Sequence, residues 1–461
     1  MNSDQTHDAP LEAYVGGKRQ PLVDPAAIVE DAVARAAASQ AALRELSSSD
    51  RAEILDRLCL SLSADVERLA DKLSAEAGFL TRRDMVLEVH RAVDVCTLTA
   101  AATREGFDET VNLAASPRGR NTLTIVRRVP HGPMLAITAF NGPILIAAHK
   151  IAPAIAAGVA VVLKPSPRVP RAAVEFAELV VAAGWPADAL SVLPVGNEET
   201  MDLITDPRLP MISFTGGDFG WAIKDAAPRK HVHLELGGVG AVLVAPDADV
   251  DEVAEQCVIG GFVRSGQACL SVQRIYAHAD IYEALVERLA TRVAALPTGD
   301  PSLPDTEVGP LVDEAAAGRV QEIVDEAVAQ GATLVCGGTH DGPLVQPTLL
   351  AGTTAQMKIL RSEVFGPVIA VARIDEMADG VAEANAAGGA LHAGVFTQDI
   401  DLALSLADDL DAGGVIINGA NAWRIDNMPY GGTGHSGFGR EGVRSMVEEI
   451  TAPKVVVIRR H

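Results

Sequence analysis

Cys269, in GQACLSVQRIYAH, is one of five widely spaced cysteines in the 461-residue chain and the one whose surroundings suit chemistry. It follows a Gly266-Gln267 turn, which sets a thiol at the start of an element where it can face a cleft. An isolated cysteine is more often a small buried hydrophobe, and Cys59, Cys96, Cys257 and Cys336 are read that way. In HVHLELGG, Glu235 ends an otherwise apolar strand just before two glycines. A carboxylate buried there without a task is costly, and burial would raise its pKa toward that of a base working near neutral pH. The competing reading is a surface glutamate at a strand end. Asn141 closes a strand in ITAFNGP and offers an amide able to donate to an oxyanion, although Asn-Gly is also a common turn pair. In VVLKPSP, Lys164 stands at the carboxyl end of a strand, where doubly wound sheets bind ligands. SFTGGDFG is a glycine turn between strand and helix, a cradle for a diphosphate that lacks the GxGxxG spacing.

Groups of this kind need a sheet whose strand ends converge. Ile54, Leu55, Leu58, Leu60, Leu62, Val66 and Leu69 recur at roughly helical spacing, which predicts a helix between a cap at Ser49-Asp50 and a stop at Gly78. NTLTIVRRV alternates as a strand does. From Met134 onward the runs MLAITAF, VAVVLKP, SVLPVG, MISFTGG, VHLELGG and AVLVA alternate with helices expected at 171–183 and 219–227, the rhythm of a parallel sheet covered on both faces. A second α/β stretch begins near Val250. It has amphipathic helices expected at 281–296 and 314–330 and strands at TLVCGG, VIAVARI, AGVFT and GGVIIN. The chain closes on a basic strand, KVVVIRRH.

Composition narrows the function. A length of 461 residues predicts two or more domains, and 48% hydrophobic with 21% charged residues is globular. A net charge of −23 argues against nucleic acid and against anionic membrane surfaces. MNSDQTHDAP has no signal-peptide pattern. The apolar run between Lys150 and Lys164 falls short of the roughly 20 residues a bilayer requires and is broken by Pro153 and Gly158. An odd number of cysteines without a CxxC pair suits reduced thiols in a cytoplasmic protein, and no metal site is expected.

In chain order, ITAFNGP, KPSP, SFTGG, LELGG, GQAC, EVFGPV and PYGGTGHSGFGREG resemble the aldehyde dehydrogenase superfamily from about Tyr14 to the C-terminus, with Glu235 and Cys269 34 positions apart. In SVQRIYAH and WRIDNMPYGG the chain is most similar to lactaldehyde and phosphonoacetaldehyde dehydrogenases. The resemblance implies NAD(P)-dependent oxidation of an aldehyde to its acid through a cysteine thiohemiacetal and thioester. Cys269 would be the nucleophile and Glu235 the base that activates the hydrolytic water. Asn141, with the backbone N–H of Cys269, would hold the oxyanion. NAD or NADP would be held by Lys164 and Ser166 on the adenosine side, by Thr215, Gly216 and Gly217 at the diphosphate, and by Glu363 and Phe365 at the nicotinamide ribose and ring. The implied α/β fold has an NAD(P)-binding domain of Rossmann type (residues 1–118 and 131–240), a catalytic domain (241–430) and a small β oligomerisation element (119–130 and 431–461), and it predicts a homodimer or homotetramer. Departures from the family pattern are Val239 after LELGG, a diphosphate turn one residue short, and Pro167 where a ribose-binding glutamate is usual. Without that glutamate, and with Arg168 beside it, NADP is expected to be accepted. The substrate is expected to be a small, polar aldehyde. Arg424 and His149 are candidates to face an anionic group, against the favoured reading of Arg424 as an ion pair with Asp426. Two alternatives stay open, an acyl-CoA-forming dehydrogenase and a non-catalytic relative acting as a binding protein; Glu235 favours hydrolysis.

Overall fold

Short Val-, Ile- and Leu-rich runs bounded by Gly and Pro build two parallel sheets in the structure, a computed structural model that describes residues 11–460. The first is ordered Gly437–Phe438, His231–Glu235, Met211–Thr215, Met134–Ile137, Val161–Lys164, Leu190–Val192, Glu12–Val15 and Lys18–Pro21. Its five central strands run parallel, joined through helices such as Pro143–Ala157, Pro170–Ala182 and Phe219–Ala226. Antiparallel strands cap both edges, and Gly437 pairs with Glu235 at one of them. Parallel strands buried on both faces read as unbroken apolar runs, and Met134, Leu135, Ala136 and Ile137 are all buried.

Strands of the second sheet follow the order Thr333–Cys336, Thr348–Ala351, Val368–Ile374, Arg274–His278, Ala241–Val244, Ala390–Phe396 and Ala412–Ile417. Only the first pair is antiparallel. Helices Ala279–Ala294 and Glu314–Ala329 stand close to their expected bounds. A third sheet pairs Thr122–Pro130 with Thr451–Arg459, in register from Thr122↔Arg459 to Thr451↔Pro130.

The helix expected across residues 54–69 is two helices, Ser48–Ser63 and Val66–Ala77. Its cap is Ser47, whose hydroxyl accepts from the Asp50 N–H while the Asp50 carboxylate accepts from the Ser47 N–H. The Ala64 N–H donates to the Leu60 and Leu62 carbonyls and closes the first helix, so the apolar spacing continues across a change of direction. Leu60, counted with the buried stripe, is 70% exposed. Gly78, at φ +67, ends the second helix as expected. MNSDQTHDAP lies outside the described residues. Among the described residues no helix is long and apolar enough to cross a membrane, and no group of three or more His, Cys, Asp or Glu could hold a metal ion.

Candidate active site

Cys269 follows a tight turn, Val263–Gly266, in which Arg264 and Ser265 adopt left-handed backbone at φ 54 and 57. Such conformations cost about 1–3 kcal/mol each and persist only where surroundings hold them. Arg264 donates to the Asn141 carbonyl at 2.6 Å and pairs with the fully buried Glu88 at 3.2 Å. Ser265 Oγ donates to the Gly309 carbonyl and accepts from the Gly309 N–H, both at 2.9 Å. A Cβ at Gly266 would stand 2.1 Å from the Gly366 carbonyl oxygen, so this φ +72 position admits only glycine. Glu88 in turn accepts from the Ile144 and Leu145 N–H groups at the start of helix Pro143–Ala157. This anchors the turn to the loop carrying Asn141. The Asn141 amide donates one proton to the Gln267 carbonyl at 2.8 Å, which sets its second proton and keeps the side chain beside the cysteine loop.

The sequence assigned no role to Tyr430, the second residue of the quoted PYGG motif. Its hydroxyl lies 3.0 Å from Cys269 Sγ and donates to Glu235 Oε1 at 3.0 Å. Burial raises the Glu235 carboxyl above its ordinary value, with the charge of Glu441 adding to the effect. Burial, and then the Glu235 charge, push the Cys269 thiol well up. The Arg424 guanidinium stacks over the Tyr430 ring, 3.7 Å from its centroid. Its ion pair is with Glu441 at 2.8 Å, not with Asp426 as the sequence favoured. Asp426 is taken by Arg91 and by His149, the latter at 3.1 Å, because the fold brings helices Arg82–Glu105 and Pro143–Ala157 against it. His149 also lies 3.3 Å from Arg424, so the two residues proposed from sequence are neighbours beneath the cysteine's phenol.

Lys164, Thr215 and Glu235 end parallel strands together at the carboxyl end of the first sheet, as the pairings Ile137↔Lys164, Ile137↔Phe214 and Thr215↔Glu235 require. Among the described residues the half-buried Lys164 ammonium has no acceptor, and burial lowers its pKa. Thr215 Oγ1 is buried without a partner. Gly216 donates to the Glu235 carbonyl at 3.0 Å, a Cβ there would stand 2.6 Å from the Phe214 ring, and a Cβ on Gly217 would meet open space. Ser166 Oγ accepts from the Arg168 N–H at 3.3 Å. Glu363 makes one long contact, accepting from the Gly238 N–H at 3.4 Å, and burial lifts its carboxyl to about 8. Phe365 sits at φ 52, rare for a bulky residue, with its ring edge-on to Phe140 at 6.0 Å. An ammonium, a hydroxyl and a carboxyl left short of partners, beside an uncrowded glycine, fit the ribose hydroxyls and phosphates of a dinucleotide. The Arg168 guanidinium is paired with the carboxylate of Asp313.

The family model described as the aldehyde dehydrogenase family matches residues 21–456. The chain belongs to the aldehyde dehydrogenase family. A 3-sulfolactaldehyde dehydrogenase of Priestia aryabhattai is 37% identical to it over 444 residues, covering 95% of this chain and 93% of that protein. A lactaldehyde dehydrogenase of Methanococcus aeolicus is 32% identical over 439 residues, covering 93% and 92%. The crystal structure of the NADP-dependent glyceraldehyde-3-phosphate dehydrogenase of Bacillus halodurans, complexed with NADP, superposes with a TM-score of 0.93 at 28% identity, covering 98% of this chain and 99% of that one. This aldehyde dehydrogenase is an NAD(P)-dependent enzyme of the α/β fold implied by its motifs. Cys269 and Glu235 meet at Tyr430, Asn141 is tied to the loop of Cys269 through the Gln267 carbonyl, and Lys164, Thr215, Gly216 and Gly217 stand at and just beyond the carboxyl ends of the adjoining parallel strands.

Proposed function

We propose that Cys269 is the nucleophile, Glu235 the general base and Asn141 an oxyanion donor in the oxidation of a small, polar aldehyde to its carboxylic acid. The observation that carries this reading is the single phenol, Tyr430, within 3.0 Å of both Cys269 Sγ and Glu235 Oε1. The Cys269 thiolate attacks the aldehyde carbon. The alkoxide that forms takes hydrogen bonds from the free Asn141 amide proton and the Cys269 N–H. A bound NAD or NADP supplies the hydride acceptor. Glu235 then removes a proton from the water that attacks the thioester, and collapse of the adduct frees the acid and restores Cys269.

Lys164, Ser166, Thr215, Gly216 and Gly217 would hold the adenosine ribose and diphosphate, and Glu363 and Phe365 the nicotinamide ribose and ring. Acceptance of NADP is supported by the Pro167 substitution and by Arg168, whose half-exposed ion pair with Asp313 is of a kind worth about 0–1 kcal/mol and yields readily to a phosphate. A small, polar substrate is supported by the relatives named for lactaldehyde and sulfolactaldehyde, and by the buried Arg424 and His149 beside Tyr430. We infer that the Thr122–Pro130 and Thr451–Arg459 ribbon is the oligomerisation element of a homodimer or homotetramer, beside an NAD(P)-binding and a catalytic domain bounded as the motifs imply. A reducing cytoplasm suits a nucleophile that works only as a free thiolate.

Cys269→Ala should yield no NAD(P)H from aldehyde even in a single turnover. Glu235→Gln should produce one equivalent and then stall, with an acyl adduct on Cys269 visible by mass spectrometry. Steady turnover by Glu235→Gln near the wild-type rate would remove Glu235 from the role of base. Free acid released without coenzyme A separates hydrolysis from acyl transfer.

A further inference from the structure

We infer that Tyr430 is a catalytic proton relay, carrying the proton of the Cys269 thiol to Glu235 through its phenol hydroxyl. This deepens the proposed function and rests on Cys269 being its nucleophile. A phenol has one hydrogen and an oxygen that can also accept. An ionised carboxylate can only accept, so the Tyr430 hydrogen lies toward Glu235 Oε1, 3.0 Å away. The oxygen's remaining lone pairs then meet Cys269 Sγ at 3.0 Å, and only the S–H can supply the hydrogen for that contact. The path through the phenol therefore has one polarity, thiol to phenol to carboxylate, and runs beside a direct contact of the thiol with Glu235.

Transfer along it balances. The S–H bond breaks as an O–H bond forms at Tyr430, and the original phenol O–H breaks as its proton bonds to Glu235. Thiol plus carboxylate becomes thiolate plus carboxylic acid, and the phenol ends as it began. The single negative charge passes from Glu235 to Cys269 without a lasting phenolate between them, which matters because Tyr430 is 1% exposed and Glu235 is 4% exposed. Arg424 lies over the Tyr430 ring and pairs with Glu441, so a fixed cation faces the path along which negative charge travels. The other groups facing the chain are Lys150 and Glu441 around Glu235, and His392, whose ring meets the edge of Tyr430 at 5.3 Å. Burial lowers the pKa of His392 to about 4, so it stays neutral over the pH range of the test. Phenylalanine at 430 would keep the ring and the contact with Arg424 and remove only the relay atom.

The test is the pH profile of Cys269 alkylation by iodoacetamide, followed on its own peptide by mass spectrometry from pH 5.5 to 10 without cofactor. Tyr430→Phe should alkylate about tenfold or more slowly at pH 7, equivalent to a thiol pKa displaced upward by a unit or more. The two rates should converge near pH 10, where solvent hydroxide removes the proton directly. Thermal stability and cofactor affinity should barely move in Tyr430→Phe, whereas a packing role alone would change these and leave the alkylation profile in place. On the wild-type enzyme, the burst of NAD(P)H in mixtures of H2O and D2O should vary with a curvature that requires two protons in flight. A Tyr430→Phe profile that overlays the wild type, or a one-proton linear inventory, overturns the relay while leaving Cys269 as nucleophile. NAD(P)H formation by Cys269→Ala would instead overturn the reading on which it rests.

Discussion

Glu363 carries a carboxyl that burial lifts to about 8, and its one hydrogen bond, from the Gly238 N–H, is long at 3.4 Å. At pH 7 this group is mostly neutral. Ribose hydroxyls donating to it would favour the ionised form, so cofactor binding near neutral pH should expel part of a proton. Affinity should then rise with pH up to about 8 and level off above it, because the ionised form is the one that binds. Calorimetric titration with NADP in two buffers of different ionisation enthalpy reads this directly, and Glu363→Gln should abolish the difference. Equal enthalpies for the wild type would take Glu363 out of ribose binding. Glu235 follows the same logic on the chemical step. Burial raises its pKa, so activity limited by deacylation should fall away on acidification at a higher pH than an ordinary carboxylate would give.

Between residue and fold, the turn Val263–Gly266 is the element on which the site depends. Its left-handed Arg264 links three segments, the cysteine turn, the Asn141 loop and the helix Arg82–Glu105 that carries Glu88. Arg264→Ala leaves Glu88 buried against the N-terminus of helix Pro143–Ala157 without its cation. Breaking a buried pair from one side typically costs about 3–5 kcal/mol, and a denaturant titration should show a loss of that order. Turnover should fall as well, since the Asn141 carbonyl loses its anchor. Adding Glu88→Gln should recover much of the stability, because a neutral amide can still accept from the Ile144 N–H. No recovery in the double variant would mean that Arg264 acts through the turn's backbone and not through Glu88.

On the scale of the whole molecule, the ribbon of Thr122–Pro130 and Thr451–Arg459 leaves Leu123, Val455, Val457 and Ile458 exposed. The homo-oligomer proposed above would cover these apolar residues, which otherwise stand on an open strand pair. Val455→Lys with Val457→Lys should convert a dimer or tetramer into smaller species by sedimentation velocity, because each buried ammonium would lack a partner. An unchanged sedimentation coefficient would place the interface elsewhere.

Local patterns carried much of the architecture. Short β-rich runs ending in Gly or Pro marked central strands such as Met211–Thr215 and His231–Glu235, since strand composition and turn chemistry act within a few residues. Of the residues proposed for chemistry, Glu235 ends a strand, whereas Cys269 follows the turn Val263–Gly266 and Asn141, read as closing a strand, lies in the loop between Ile137 and helix Pro143–Ala157. Tertiary structure decided what these residues meet. Tyr430 is 161 residues from Cys269 and 195 from Glu235, and an aromatic in a glycine-rich stretch has no local signature of a bond to either. Arg424 illustrates the same limit. Proximity in sequence favoured Asp426, but buried charges pair with whichever opposite charge the packing brings within reach, and here that is Glu441. The break at Ala64 and the short strand Gly437–Phe438 beside Glu235 also escaped the sequence, because each depends on contacts between distant segments and not on the spacing of neighbours.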